Sequence, residues 1–417
     1  MYRIKKTKPQ SLSLYIFIVA IVLVYLNFLR STFDGQGVIF NAQIRFISII
    51  SGPAFLFLTI VVSLMEGGLM KIRKVYRYWL VLIFFYIIFL LITGALLFEN
   101  NLRLITFDII LFLFAAAGIM MGAERNNWVL IDKIMMLIFM IHVVVMLFYV
   151  RAYSEIITAI GPHARHNIIS AYEQIPYFFW GMIYIWPYFA LTYSDRSRFY
   201  KFTIIVGIII FYYFSIIYIK KQPFAYLGLF VVLVMFTNNI TLMAAKAFKM
   251  IPIWITIILF LFFSVEMSQS IDKLQSRFVD KGSVSSTILQ SSRISYDYGL
   301  INSQFSLGEY AFGRGIGGSV KDTNEHYPEK TTSVLHNGSA LVILKGGIAM
   351  LLIWYGGWLY FVNEFIFNRN RYLDRYFISV LIPLLGSWIF GFLSPSIAFL
   401  LVMLCAGRIM AKRPMVN

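Results

Sequence analysis

The sequence predicts an all-α polytopic membrane protein of about twelve transmembrane helices, with one large outer loop between the ninth and tenth. Three observations predict it. The 417 residues are 60% hydrophobic and only 13% charged, where a soluble domain is close to half apolar and about a quarter charged. Apolar runs near the length of a bilayer-crossing helix recur along the whole chain. One stretch alone, from Ser268 to Leu335, stops being hydrophobic.

The apolar runs fall near 11–29, 46–65, 78–98, 103–122, 128–150, 177–194, 202–219, 223–238, 251–267, 338–362, 376–393 and 395–411. The first follows Met1-Tyr-Arg-Ile-Lys-Lys-Thr-Lys8; with no short core and no small-residue cleavage site it reads as a first span rather than a signal peptide. Residues 1–267 are therefore expected to hold spans one to nine, 268–337 the outer loop, and 338–417 the last three spans and a tail. Cys405 is the single cysteine and lies in the last run, so no intrachain disulfide or multi-cysteine metal site can form.

Orientation follows from basic residues, which gather in short cytoplasmic loops. They do so in alternate connections: Arg3, Lys5, Lys6 and Lys8; Lys71, Arg73, Lys74 and Arg77; Arg196, Arg198 and Lys201; Lys246 and Lys249; Arg369, Arg371 and Arg375; Lys412 and Arg413. Both termini are then cytoplasmic. The formal charge of +17 is explained by orientation and anionic lipid, so nucleic-acid binding is not inferred. In the long loop Lys273, Arg277, Lys281, Arg293, Arg314, Lys321 and Lys330 balance Asp272, Asp280, Asp297, Glu309, Asp322, Glu325 and Glu329, as suits an exported segment.

Chemistry is expected at the outer face. Lys220 and Lys221, before Pro223 at the start of the eighth span, break the positive-inside tendency. Together with Arg293 and Arg314 they offer positive charge at headgroup level, where a membrane-borne phosphate or pyrophosphate would need it; arginine can bond two of its oxygens at once. His336 is the candidate general base or acid. It stands beside Asn337 where the tenth helix begins, a place with free N–H groups and partial positive charge. His326 is the rival in the same loop. His163 and His166, around Arg165 in an earlier outer connection, lack a third metal ligand and read as a polar loop. Gly313-Arg-Gly-Ile-Gly-Gly318 matches a dinucleotide fingerprint in letters only, because that motif needs a strand before it and a helix after it; here the glycines permit a tight turn, or a backbone anion nest. Lys345, inside the tenth span, is a functional hint that pairing with an acid such as Asp108 would equally explain. No metal or other cofactor is expected.

Ser292-Arg293, Phe312-Gly-Arg-Gly-Ile-Gly317 and His336-Asn337, leading into Leu341-Val-Ile-Leu-Lys-Gly-Gly347, resemble the O-antigen ligase and polymerase superfamily of bacterial envelope enzymes. The layout covers most of the chain and the specific residues cover Ser292 to Gly347. The resemblance implies about a dozen spans in the bacterial inner membrane, a large periplasmic loop before a late helix, and a donor oligosaccharide on undecaprenyl pyrophosphate. It implies that a sugar hydroxyl of the acceptor attacks the anomeric carbon and the lipid pyrophosphate leaves. His336 would assist that hydroxyl, and Arg293 and a basic residue at the start of the eighth span would bind the pyrophosphate; Arg314, by its charge, and Asn337, by its place beside His336, are substrate-binding candidates from the residues themselves. Members of the family carry an arginine at the start of the eighth span, where this chain has Lys220-Lys221. Besides donor, glycan or lipid acceptor and membrane lipids, a chain-length regulator protein is an implied partner. The expected function is polymerisation of lipid-linked repeat units into a surface polysaccharide. A ligase moving the glycan to a lipid acceptor and a flippase for lipid-linked oligosaccharide are the alternatives.

Overall fold

A computed structural model of the chain describes residues 11–34, 42–160, 186–217, 222–235, 292–321, 331–332, 335, 337–367, 374–390 and 397–412. Among them helix dominates. The helices are α1 (Leu12–Asp34), α2 (Ala42–Met65), α3 (Lys74–Leu96), α4 (Leu102–Ala123), α5 (Trp128–Ile160), α6 (Arg198–Ile217), α7 (Gln222–Met235), α8 (Ser292–Gln304), α9 (Leu307–Phe312), α10 (Gly338–Phe367), α11 (Asp374–Phe390) and α12 (Ile397–Met410). The strands β1 (Val320–Lys321) and β2 (Thr331–Thr332) pair antiparallel, Val320 opposite Thr332.

Helices α1 to α7 and α10 to α12 each lie on one of the apolar runs. Among the described residues three helices are long and apolar enough to cross a membrane: α3, Leu104–Ala123 of α4, and α10. The run at 251–267 lies outside the described residues, and that at 177–194 is described only from 186. Of the polar segment 268–337, the described part is chiefly two helices, the two short strands and the irregular run 313–319 that joins the second helix to the first strand.

The chain divides into two compact units. One comprises Met1–Tyr78, Ile110–Gly181 and Pro395–Asn417, the other Trp79–Ile109 and Met182–Ser394. In the first, Glu66 caps the start of α1, accepting from Leu12 N at 2.9 Å and Ser13 Oγ at 2.5 Å. Helices α4 and α12 meet backbone to backbone: a Cβ added at Gly118 would lie 2.7 Å from Met403 Cβ, one at Gly122 2.0 Å from Leu404 O, and one at Gly407 2.1 Å from Ile119 O. Small residues four apart are what allow apolar helices to approach so closely. Arg73 closes the end of α12, its backbone N donating to Met410 O at 2.9 Å and its Nη2 to Ile409 O at 2.7 Å. His142 is buried on α5, with Nδ1 2.8 Å from Ile138 O.

In the second unit, α3 runs against α10. Trp79 Nε1 donates to Ile353 O at 2.7 Å and Tyr86 Oη to Gly346 O at 2.8 Å. Trp79 and Trp354 each meet Trp358 edge to face and are tilted against one another, and the contact passes through Phe361 to Phe377 of α11. Helix α10 breaks at Gly347, whose φ of 63° and ψ of −169° are not helical. The backbone of Ala311 and Phe312 lies against that break.

Candidate functional site

Two polar clusters stand at the start of α10, both within the second unit. The first joins α10 to α8. Asn337 is the N-cap: its Oδ1 accepts from Ser339 N at 3.0 Å and Ala340 N at 3.1 Å, and also from Ser339 Oγ. Asparagine before an apolar helix does this because the first turn has N–H groups without intrahelical partners. Ser339 spends its one proton on Asn337, so Tyr298 Oη, 2.7 Å away, donates to Ser339 Oγ. Asn337 N in turn donates to Asp297 Oδ2 at 2.6 Å. Asp297, Asn337 and Ser339 are all buried.

This cluster fixes where one predicted residue sits relative to the neighbour of another. Arg293 is the second residue of α8 and Asp297 follows four residues later, so their backbones lie one helical turn apart on the same face. Asp297 holds the amide of Asn337, the residue that follows His336 in sequence. His336, Lys220, Lys221, His326, His163 and His166 lie outside the described residues, as does the side chain of Arg293. The amides read from sequence as free at the start of α10 are in part taken, since Asn337 occupies two of them.

The second cluster is built on the glycine run. Gly313, Gly315 and Gly317 have φ of 74°, 76° and 82°, values that L side chains rarely adopt. Helix α9 delivers the run, and its start is fixed by a capping box between Ser306 and Glu309. The run then lies between α3, α4 and α10. Arg314 N donates to Leu344 O at 2.9 Å and Ile316 N to Leu90 O at 3.0 Å. Asn100 Nδ2 donates to both Arg314 O and Ile316 O at 2.9 Å. Gly317 N donates to Asp108 Oδ2 at 2.8 Å, and Lys345 Nζ to Gly318 O at 2.9 Å. Asp108 and Lys345 form an ion pair at 2.9 Å, the pairing that the sequence suggested for that intramembrane lysine. A Cβ at Gly315 would come 2.4 Å from Gly94 N, and one at Gly347 2.4 Å from Ala311 O, so the break in α10 is filled by the backbone at the end of α9.

The glycine run is therefore no anion nest. The amides of Gly313, Arg314, Ile316, Gly317 and Gly318 all donate within the protein. Arg314 is held as firmly. Its Nε donates to Glu309 Oε1 at 2.6 Å, Nη1 to Ser319 O at 2.8 Å and Nη2 to Gln304 O at 2.9 Å, while its guanidinium lies 4.8 Å over the Phe305 ring. A substrate phosphate would have to exchange for one of these bonds. Burial pushes the Glu309 carboxyl up, but hydrogen bonds from the Ser306 amide and hydroxyl and from Arg314, with the Arg314 charge, outweigh it and leave the group below its ordinary value.

Asp297, Tyr298 and Ser339 entered the sequence reading only as a counted charge or not at all. The spacing of Arg293 and Asp297 on one helix, and Asn337 directly before an apolar run, were the available signals. Among the described residues no cluster of three His, Cys, Asp or Glu is placed to hold a metal ion. Comparison with protein-family models, with curated proteins and with solved structures gave no match.

Proposed function

We propose that the protein is a glycosyltransferase of the bacterial inner membrane that polymerises undecaprenyl-pyrophosphate-linked repeat units into a surface polysaccharide. In this reading the chain spans the membrane about twelve times, with both termini cytoplasmic and segment 268–337 outside. The observation that carries it is the bond from Asn337 N to Asp297. It ties the residue after His336 to the helix that bears Arg293, one turn away, in a chain otherwise almost wholly apolar. A base and a phosphate-binding cation are the two groups the reaction requires.

The acceptor hydroxyl attacks the anomeric carbon of the donor and a new C–O bond forms. His336 takes the hydroxyl proton. The bond from that carbon to the pyrophosphate oxygen breaks, and the isoprenyl pyrophosphate departs with the electron pair. Arg293, Lys220 and Lys221 supply the positive charge that stabilises it. Pyrophosphate is already a good leaving group, so positioning two large substrates accounts for much of the acceleration. Asp297 is a positioning residue, and Arg314 acts through the glycine run that it anchors.

A flippase is the second reading, favoured by one observation: a membrane helix broken at Gly347 beside the ion pair of Asp108 and Lys345, the kind of feature that lines transport sites. Here the break is filled by Ala311 and Phe312 backbone and the pair is bonded to Gly317 and Gly318, so protein rather than a transported group occupies that point. Purified protein incubated with lipid-linked repeat units decides. Long glycan still on the carrier supports polymerisation; product only after a second lipid acceptor is added supports ligation; no covalent product with either sinks the glycosyltransferase and leaves transport. His336→Ala is expected to abolish product with expression intact, and full activity would refute its role.

A further inference from the structure

We infer that α9 and the glycine run are a re-entrant element of the outer leaflet, and that Leu307 and Phe312 contact the acyl chains of the bilayer. The sequence assigns this segment to an aqueous loop; the inference needs the membrane character of the helices around it and, for the leaflet, the orientation proposed above, but not the glycan chemistry.

Depth is the first argument, and two helices give it separately. Ile316 N bonds Leu90 O, six residues before Leu96 ends α3; Arg314 N bonds Leu344 O, six residues after Gly338 begins α10. At 1.5 Å per residue both place the run about 9 Å inside the ends of the spans. The end of α3 is apolar and exposed at Leu96 and Leu97, so it does not mark water.

The backbone gives the second argument. Irregular chain at membrane depth persists only where its polar groups are satisfied and shielded from lipid. Gly313 and Gly315 to Gly318 are buried, and the donors and acceptors that match the run come from α3, α4, α10 and Asn100. An aqueous loop would need none of this.

The exposed surface gives the third. Glu309 and Arg314 turn inward onto each other, and the side chains that α9 presents outward are Leu307, 88% exposed, and Phe312, 53% exposed. Phe312 meets the Phe89 ring of α3 at 6.1 Å, and its backbone abuts Gly347 of α10, next to exposed Ile348 and Leu352. The patch is thus continuous with the outward faces of two helices long and apolar enough to cross a membrane. Its occupant is lipid hydrocarbon.

The test uses spin labels on single cysteines in phosphatidylethanolamine–phosphatidylglycerol nanodiscs. Cys405, the one native cysteine, is buried and is replaced by alanine. Labels at Leu307→Cys and Phe312→Cys are expected to relax with dissolved oxygen and to be shielded from an aqueous nickel chelate, like a label at Leu352→Cys. A label at exposed Lys321→Cys on β1 is the aqueous reference. Leu307 and Phe312 labels as open to nickel as that at Lys321 would overturn the inference. A second readout is the rate with a water-soluble maleimide, where a thiol in hydrocarbon forms thiolate less readily and is expected to react at least about tenfold more slowly than Lys321→Cys. Equal rates would count against the inference in the same way.

Discussion

At the scale of single residues, one carboxylate and one amide side chain hold the candidate site. Asn337→Ala removes the cap of α10 and is expected to cost about 1 kcal/mol, with Asn337→Ser restoring most of it, measured as the shift in thermal unfolding. Asp297→Asn exchanges a charge-assisted acceptor for a weaker one and is expected to cost about 1.5 to 3 kcal/mol. If Asp297 positions the residues around Asn337, polymerising activity should fall more steeply than stability, and an unchanged turnover would remove it from the site. Glu309 supplies a pH dependence. Its carboxyl is lowered in the folded protein, so its contribution is complete above the ordinary carboxylate value and is lost as pH falls through the lower, folded one. Protection factors across 307–319, corrected for the intrinsic exchange rate, should therefore fall in acid, and in Glu309→Gln they should be low at every pH.

Helix packing is where glycines decide. Gly315→Ala adds a Cβ at positive φ, 2.4 Å from Gly94 N, and is expected to cost about 2 to 6 kcal/mol from strain and overpacking together. Gly356→Ala is the counterpart: nothing lies within 4 Å of its added Cβ, and the variant should be up to about 1 kcal/mol more stable, the helix-propensity gain. The ion pair is read by a double-mutant cycle. Lys345→Met or Asp108→Asn alone leaves a partly buried charge uncompensated and should cost about 3 kcal/mol, while the double variant recovers much of that. Additive losses would mean that the two do not interact. The sequence made this pair legible, because a lysine in an apolar run demands an acid. It also held a signal left unread: Gly118-Ile-Met-Met-Gly122 is the small-residue spacing on which α4 meets α12.

For the whole molecule, helical class and membrane character were legible because hydropathy acts over twenty residues at a time, and α3, α4 and α10 carry it plainly. The site was legible only in part. Charge and motif marked Arg293, Arg314 and Asn337, but nothing local in the sequence says that α8 folds back so that Asp297 meets Asn337, forty residues on, or that the glycine run enters a gap between three helices. Those are long-range consequences of packing. Arginine in a polar loop suggests a ligand; the fold surrounds Arg314 with Glu309, Ser319 and Gln304. The alternation of basic connections makes one prediction at this scale. Reporters active only in the cytoplasm, fused at either end of the chain, should both be active, and silence at one end would break the topology.

Asp108 reaches its partners late in the life of the chain. Gly317 and Lys345 are made more than two hundred residues after it, roughly 10 to 40 s later at ribosomal speeds. Throughout that interval the fourth helix carries an acid with neither its lysine nor its amide, and the facing ends of the third and fourth helices, around Leu96 and Leu102, lack the wedge that joins them. Nascent chains halted before residue 313 should consequently be extracted or degraded more readily than chains halted after 345, and biogenesis of this protein has its vulnerable window there.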